Sequence, residues 1–175
     1  MRSAAKYAPS KRIRTRGGGT LLLNTFLLII HGLVAVALLG AITHQVVSLT
    51  WGGGARHGSF IGRYRNVNQH SFTRAIVVLY LVGVTLGAII YPYYRLNVRI
   101  PFEQMNLAWA VGVFELKEHF AGIGLGVLPL YAYSWRAEFA ESHHGNRIAL
   151  SWLLAFVVWW DFLIGHVLNN IRGFG

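Results

Sequence analysis

From Leu21 to Leu49 the chain carries no aspartate, glutamate, lysine or arginine. A helix needs about 20 mostly apolar residues to cross the ~30 Å hydrocarbon core of a bilayer. In hydrocarbon every backbone N–H and C=O must find a partner within the protein, which leaves helices and closed barrels as the spanning forms. A run this long and this apolar therefore predicts a transmembrane helix, placed at 21–48. It is also far longer than the apolar core of a cleaved signal peptide, so the run is expected to be retained.

The rest of the chain agrees with that start. Hydrophobic residues make up 54% of the sequence and charged ones 13%, whereas soluble domains carry about 25% charged residues. The net charge of +10 does not point to nucleic acid, because the basic residues sit at the ends of apolar runs, where lipid phosphates are their neighbours. With no cysteine in the sequence, the chain's own thiols can hold no iron–sulfur cluster, thioether-linked haem or thiolate metal site.

Three further spans are expected. Residues 75–94 are uncharged up to the YPYYR segment, where Pro92 is expected to end the helix. Gly83 and Gly87 have the spacing that lets two helices approach closely in lipid. The run from Pro101 to Trp135 is too long for one span, at about 52 Å of helix, and it holds Glu115, Lys117, Glu118 and His119. The preferred division is an interfacial helix over 101–114 and a span over 115–135, with Gly122 and Gly126 as its close-packing face and Pro129 as a possible kink. The fourth span is 148–168, with Asp161 as its one charge. The expected architecture is an all-α integral membrane four-helix bundle forming a single transmembrane domain, preceded by a basic tail over 1–20.

Six basic residues precede the first span, two (Arg95 and Arg99) lie in the second connection and one (Arg172) follows the fourth span. The other face has four in the first connection and two in the third. By the positive-inside bias both termini belong on the cytoplasmic side. The bacterial plasma membrane is the expected location, although the acid-free, arginine- and serine-containing start also has the composition of an organelle transit peptide.

Ionisable groups inside spans are costly, so each is a functional hypothesis in its own right. His31, His44, His119 and His166 fall within or near the spans, and paired imidazoles on facing helices can ligate haem b. His119 is expected opposite His166 if the third span starts late, or opposite His31 if it starts early. His44 is expected near His143 or His144, while His57, His70, His143 and His144 read as loop histidines. Arg95 and Arg99 would neutralise haem propionates or lipid phosphates. Glu115, His119 and Asp161 form an alternative metal site, since Glu115 and His119 share a helical face. Glu118 and Asp161 are expected members of a proton path.

These residues lead to the expectation of a small membrane subunit of an electron-transfer or energy-converting complex, with haem b between its helices. Its partners would be lipids, other membrane subunits, and a quinone or another redox partner. Two other classes fit the same composition: a cofactor-free accessory or assembly subunit, and a metal-binding or proton-handling membrane enzyme subunit.

Overall fold

The computed structural model of the chain describes residues 17–51, 69–136 and 144–173; residues 1–16 of the basic tail, His57 and His143 lie outside them, and residues 17–20 belong to the first helix. The described residues are helical almost throughout. Helix α1 spans Gly17–Trp51 and α2 spans Gln69–Tyr94. A widened π turn over Arg95–Arg99 carries α2 on into the short α3, Ile100–Gln104. Helix α4 is Ala108–Ser134 and α5 is His144–Gly173. Three helical stretches are long and apolar enough to cross a membrane: Leu21–Thr50, Ser71–Gln104 and His144–Ile171. Helix α4 has the length but carries Glu115, Lys117 and Glu118 in its first half.

Helices α1, α2 and α5 run beyond the expected 21–48, 75–94 and 148–168, to Gly17–Trp51, Gln69–Tyr94 and His144–Gly173, and two boundaries differ in kind. Pro92 does not end α2, which runs through it. Proline removes one N–H, but in apolar surroundings stopping would leave several more groups unpaired, and a local π adjustment is a cheap way to continue. Nor do residues 101–114 form one interfacial helix. The chain breaks at 105–107, where Asn106 adopts φ 57°, a left-handed conformation that asparagine tolerates better than most residues. The turn is closed by backbone N–H groups of Met105, Asn106 and Leu107 donating to the carbonyls of Pro101, Glu103 and Phe102 at 2.9, 3.1 and 2.8 Å. Helix α4 therefore starts at Ala108 and not at Glu115.

Helix α1 packs against α2 and α5, α4 packs against α5, and α2 touches α4. The larger core joins Leu38, Ile42 and Val46 of α1, Ile76 and Tyr80 of α2, Leu128 and Tyr131 of α4, and Leu154, Ala155 and Val158 of α5, with Trp135 just beyond α4. A polar network crosses it. The Tyr131 hydroxyl donates to Gln45 Oε1 at 2.6 Å, and Gln45 Nε2 donates to Thr73 Oγ1 at 3.2 Å, tying three helices together. Trp159 and Trp152 of α5 donate to Thr43 and Thr50 of α1 at 3.0 and 3.1 Å. At the same end Arg147 covers the C-terminus of α4: its Nε donates to the Ser134 carbonyl at 2.6 Å, and its guanidinium lies 5.2 Å from the Trp135 ring centre. Such groups satisfy the carbonyls that a helix end leaves open.

A smaller core, Val98, Phe102, Ala110, Val111 and Leu168, closes the opposite end. Between the two cores the interior is hollow. The outer surface is greasy, with Leu22, Phe26, Leu33, Val36, Ile89 and Leu130 all more than half exposed, as lipid-facing side chains are.

Interhelical hydrogen bonds in membrane proteins contribute about 0.6–2 kcal/mol. Tyr131→Phe, which strips Gln45 Oε1 of its donor, is expected to lower stability by about 1 kcal/mol. Denaturation of the purified variant beside the wild type checks this, and an unchanged midpoint would mean that the network contributes nothing.

Candidate functional site

Two adjoining cavities, of about 390 and 370 Å³, occupy the hollow half. Small-molecule sites are typically about 300–1,000 Å³. Both are lined by His31 of α1, Gly87 and Tyr91 of α2, Lys117 and Glu118 of α4, and Asp161 and Phe162 of α5. The inner one ends against Leu38, Tyr80 and Val158 of the large core. The outer one reaches Asn24, Tyr94, Phe114, His166 and Asn169, toward the end of the molecule that holds the start of α1 and the close of α5.

Each ionisable group is placed by its own helix. The His31 ring lies beside Gly87, where an added Cβ would sit 3.6 Å from its Cε1; Gly87 thus gives the imidazole ordinary contact with the α2 backbone. Its Nδ1 is buried and makes no hydrogen bond of good geometry, the ring's backbone partner on α2 being Gly83. Lys117 passes under α5, its Cε 3.8 Å from the place a Cβ would take on Gly165. Its Nζ pairs with Glu118 at 3.1 Å and stands 5.4 Å from the Phe114 ring centre. One turn before Gly165, Asp161 faces the same space, and its Oδ1 is buried without a partner. Lys117 therefore pairs along α4 with Glu118, and none of the ion pairs among the described residues reaches Asp161.

The walls nearer the outer end are aromatic. Tyr94 stacks face to face on Phe114 with centres 3.6 Å apart, and Tyr91 lies parallel to Phe114 at 6.4 Å. The Tyr94 hydroxyl is also buried without a partner. Further in, Tyr80 donates its hydroxyl to the Ala121 carbonyl at 2.8 Å.

The four nominated histidines separate. His31 and His166 line the outer cavity, but His166 is exposed, its Nε2 lies 3.1 Å from Asn170 Nδ2, and its ring lies parallel to Phe162 at 6.3 Å. His44 is buried in the half of the bundle stitched by the Gln45, Thr73 and Tyr131 network, its ring centre 4.8 Å from that of Phe72. His119 lines neither cavity; it is exposed on α4, with Nδ1 2.6 Å from the Glu115 carbonyl oxygen one turn earlier. The structure thus does not bring His119 into the cavity with His31 or His166, and His144 is exposed at the start of α5.

Glu115, His119 and Asp161 do not converge either. Glu115 is drawn outward to Arg99 at 3.3 Å, Asp161 faces the cavity, and among the described residues no three His, Asp or Glu are grouped to hold a metal. Arg99 also pairs with Glu103 at 2.8 Å, so it ties α3 to the start of α4. Arg95 is exposed on the π turn. Glu118 and Asp161 do share the cavity.

The close-packing glycine of α4 is also not the expected one. Gly122 and Gly126 face open space. Gly124 between them is buried, and a Cβ there would collide with the Tyr80 hydroxyl, lie 2.8 Å from Tyr80 Cζ and 3.1 Å from Val157 Cγ1.

Comparison of the chain with protein-family models, curated proteins and solved structures found no match.

Proposed function

We propose that the chain crosses a membrane four times, with both termini on the cytoplasmic side of a bacterial plasma membrane. In this reading it is a small subunit of an electron-transfer or other energy-converting complex, and its part in that complex is to take up and release protons in the cavity between its helices. The observation that carries the reading is the convergence of His31, Lys117, Glu118 and Asp161, from three helices, on one hollow. Ionisable groups within membrane helices are expensive, and where they occur they serve ion or proton pathways; here His31, Lys117 and Asp161 are partly buried and Glu118 is exposed beside them. Here the aqueous end would be the one near the termini, and the large core with Tyr80 would block passage further. The hollow is a half-channel, which loads a proton from one side only.

The test is infrared difference spectroscopy of the purified protein across a pH titration. A protonated-carboxyl band that comes and goes with pH, and that vanishes in Asp161→Asn or shifts in Glu118→Gln, is the expected result. A spectrum indifferent to both substitutions in correctly folded protein would refute a proton-handling role.

A second reading, haem b, is favoured by the presence of both His31 and His166 on the outer cavity together with Gly32, Gly87 and Gly165, where a flat porphyrin can approach the backbone. Haem b ligation would require His166 to leave Asn170. A dithionite-reduced minus oxidised spectrum with pyridine haemochrome quantification decides it: a b-type signal lost in His31→Ala and His166→Ala supports haem, and a clean absence removes it.

A further inference from the structure

We infer that the paired cavities are a binding site for a neutral, planar quinone headgroup. This rests on the reading of the same cavity as the functional site, and it adds a ligand class and the atoms that hold it. Three buried polar atoms that make no hydrogen bond of good geometry belong to residues lining one continuous hollow: His31 Nδ1, Asp161 Oδ1 and the Tyr94 hydroxyl. A buried polar group left unpaired costs about 1–3 kcal/mol, and a native structure rarely keeps one without a reason. Ser48 Oγ, Ser151 Oγ and Trp135 Nε1 also lack a hydrogen bond but line neither cavity; the gathering of three around a single space is what points to an occupant that completes the hydrogen bonds.

The chemistry of the three atoms narrows the occupant. Tyr94 offers an O–H, Asp161 offers a carboxylate oxygen, and an imidazole nitrogen donates or accepts according to its tautomer. The ligand must therefore be able both to accept and to donate. A simple anion is disfavoured by Asp161 and Glu118 on the wall, and a simple cation by Lys117. A metal ion has no cluster of ligands among the described residues. What remains is an uncharged molecule with oxygens on opposite sides of an apolar body, and the stacked Tyr94 and Phe114, with Tyr91 and Phe162, provide flat walls for a ring. Quinol hydroxyls both donate and accept, so the quinol satisfies all three atoms, whereas the oxidised quinone only accepts: it pairs with the Tyr94 O–H and an imidazole N–H, and with Asp161 only when that carboxyl carries a proton. The tail of such a molecule would lie in lipid.

The experiment uses the full chain in detergent micelles with a decyl-substituted benzoquinone as probe. Quenching of tryptophan fluorescence is the signal, since Trp160 adjoins Asp161, and a long-chain alcohol without a quinone ring is the control. Saturable quenching is expected for the wild type, weakened at least tenfold in His31→Leu and in Tyr94→Phe. It is expected to be unchanged in Tyr133→Phe, because Tyr133 is exposed beyond the stitched half and lines neither cavity. A melting temperature of the wild type that rises with the quinone, and not with the alcohol, gives a second readout that needs no variant. Quenching that does not saturate, equal binding by all variants, or no shift in melting would overturn the assignment. The carboxyl infrared band separates the two ideas: if it persists while quinone binding fails, proton handling stands and the quinone site falls.

Discussion

Gly124→Ala is expected to destabilise the helix assembly by about 1–3 kcal/mol, the usual cost of forcing an extra methyl group into a packed interior. The added Cβ would run into the Tyr80 ring and approach Val157 to 3.1 Å. Tyr80 cannot readily give way, because it is 3% exposed and its hydroxyl is committed to the Ala121 carbonyl. Gly122→Ala and Gly126→Ala, which point into open space, are expected to be neutral or slightly stabilising, since alanine is the better helix former. Thermal or denaturant unfolding of the three variants in one detergent tests the contrast. A double-mutant cycle sharpens it: with Tyr80→Leu in the background the alanine at 124 should cost less by at least about 1 kcal/mol, because the ring it meets is gone. Equal effects at 122, 124 and 126 would mean that the close approach of α2 and α4 does not exist.

Asp161→Leu is expected to act in the opposite direction on stability while removing function. The wild-type carboxylate has a buried oxygen with no partner, and leucine is close in size and has nothing to desolvate. On insertion scales an aspartate at the centre of a membrane helix is less favourable than leucine by about 3 kcal/mol or more. Even a third of that would raise the melting temperature by several degrees, and the carboxyl infrared signal would be lost at the same time. A gain in stability with loss of signal is the mark of a residue retained for what it does. A clear loss of stability would show that Asp161 is a structural member of the packing, and the proton-handling reading would then lose its main support.

Helix α1 was the most legible part of the sequence, because nothing in a long uncharged run competes with a spanning helix. His31 and Asp161 stood out in the sequence for the same reason, as ionisable groups with apolar neighbours, whereas Glu118 sits in a charged run with Glu115, Lys117 and His119. Which side of α4 faces inward was not. Lys117 and His119 are two residues apart and so about 200° apart around the helix, and only packing against α5 decides that the lysine turns in and the histidine out. The same applies to Gly124 beside Gly122 and Gly126: three alternate glycines look alike until Tyr80 arrives from another helix. Proline misled in a different way, since its usual effect in water is to stop a helix, whereas α2 passes through Pro92 and relaxes into a π turn. The Gln45, Thr73 and Tyr131 network had no local signal, because it depends on the relative heights of three helices far apart in sequence.

Among the described residues, α1 has no buried position before Leu38, and it contributes nothing to the small core that closes the other end. Its second half is fastened by Leu38, Ile42 and Val46, by Gln45, and by the two tryptophan hydrogen bonds to Thr43 and Thr50. Its first half lines the hollow, and there Val34 meets Gly83 and His31 meets Gly87 of α2. Mechanically the described part of α1 is a beam rooted in the large core, with about 30 Å of rod on the near side of Leu38 and His31 two turns from that root. A stiff beam of that kind multiplies a tilt of a few degrees at its root into a displacement of ångströms at its tip.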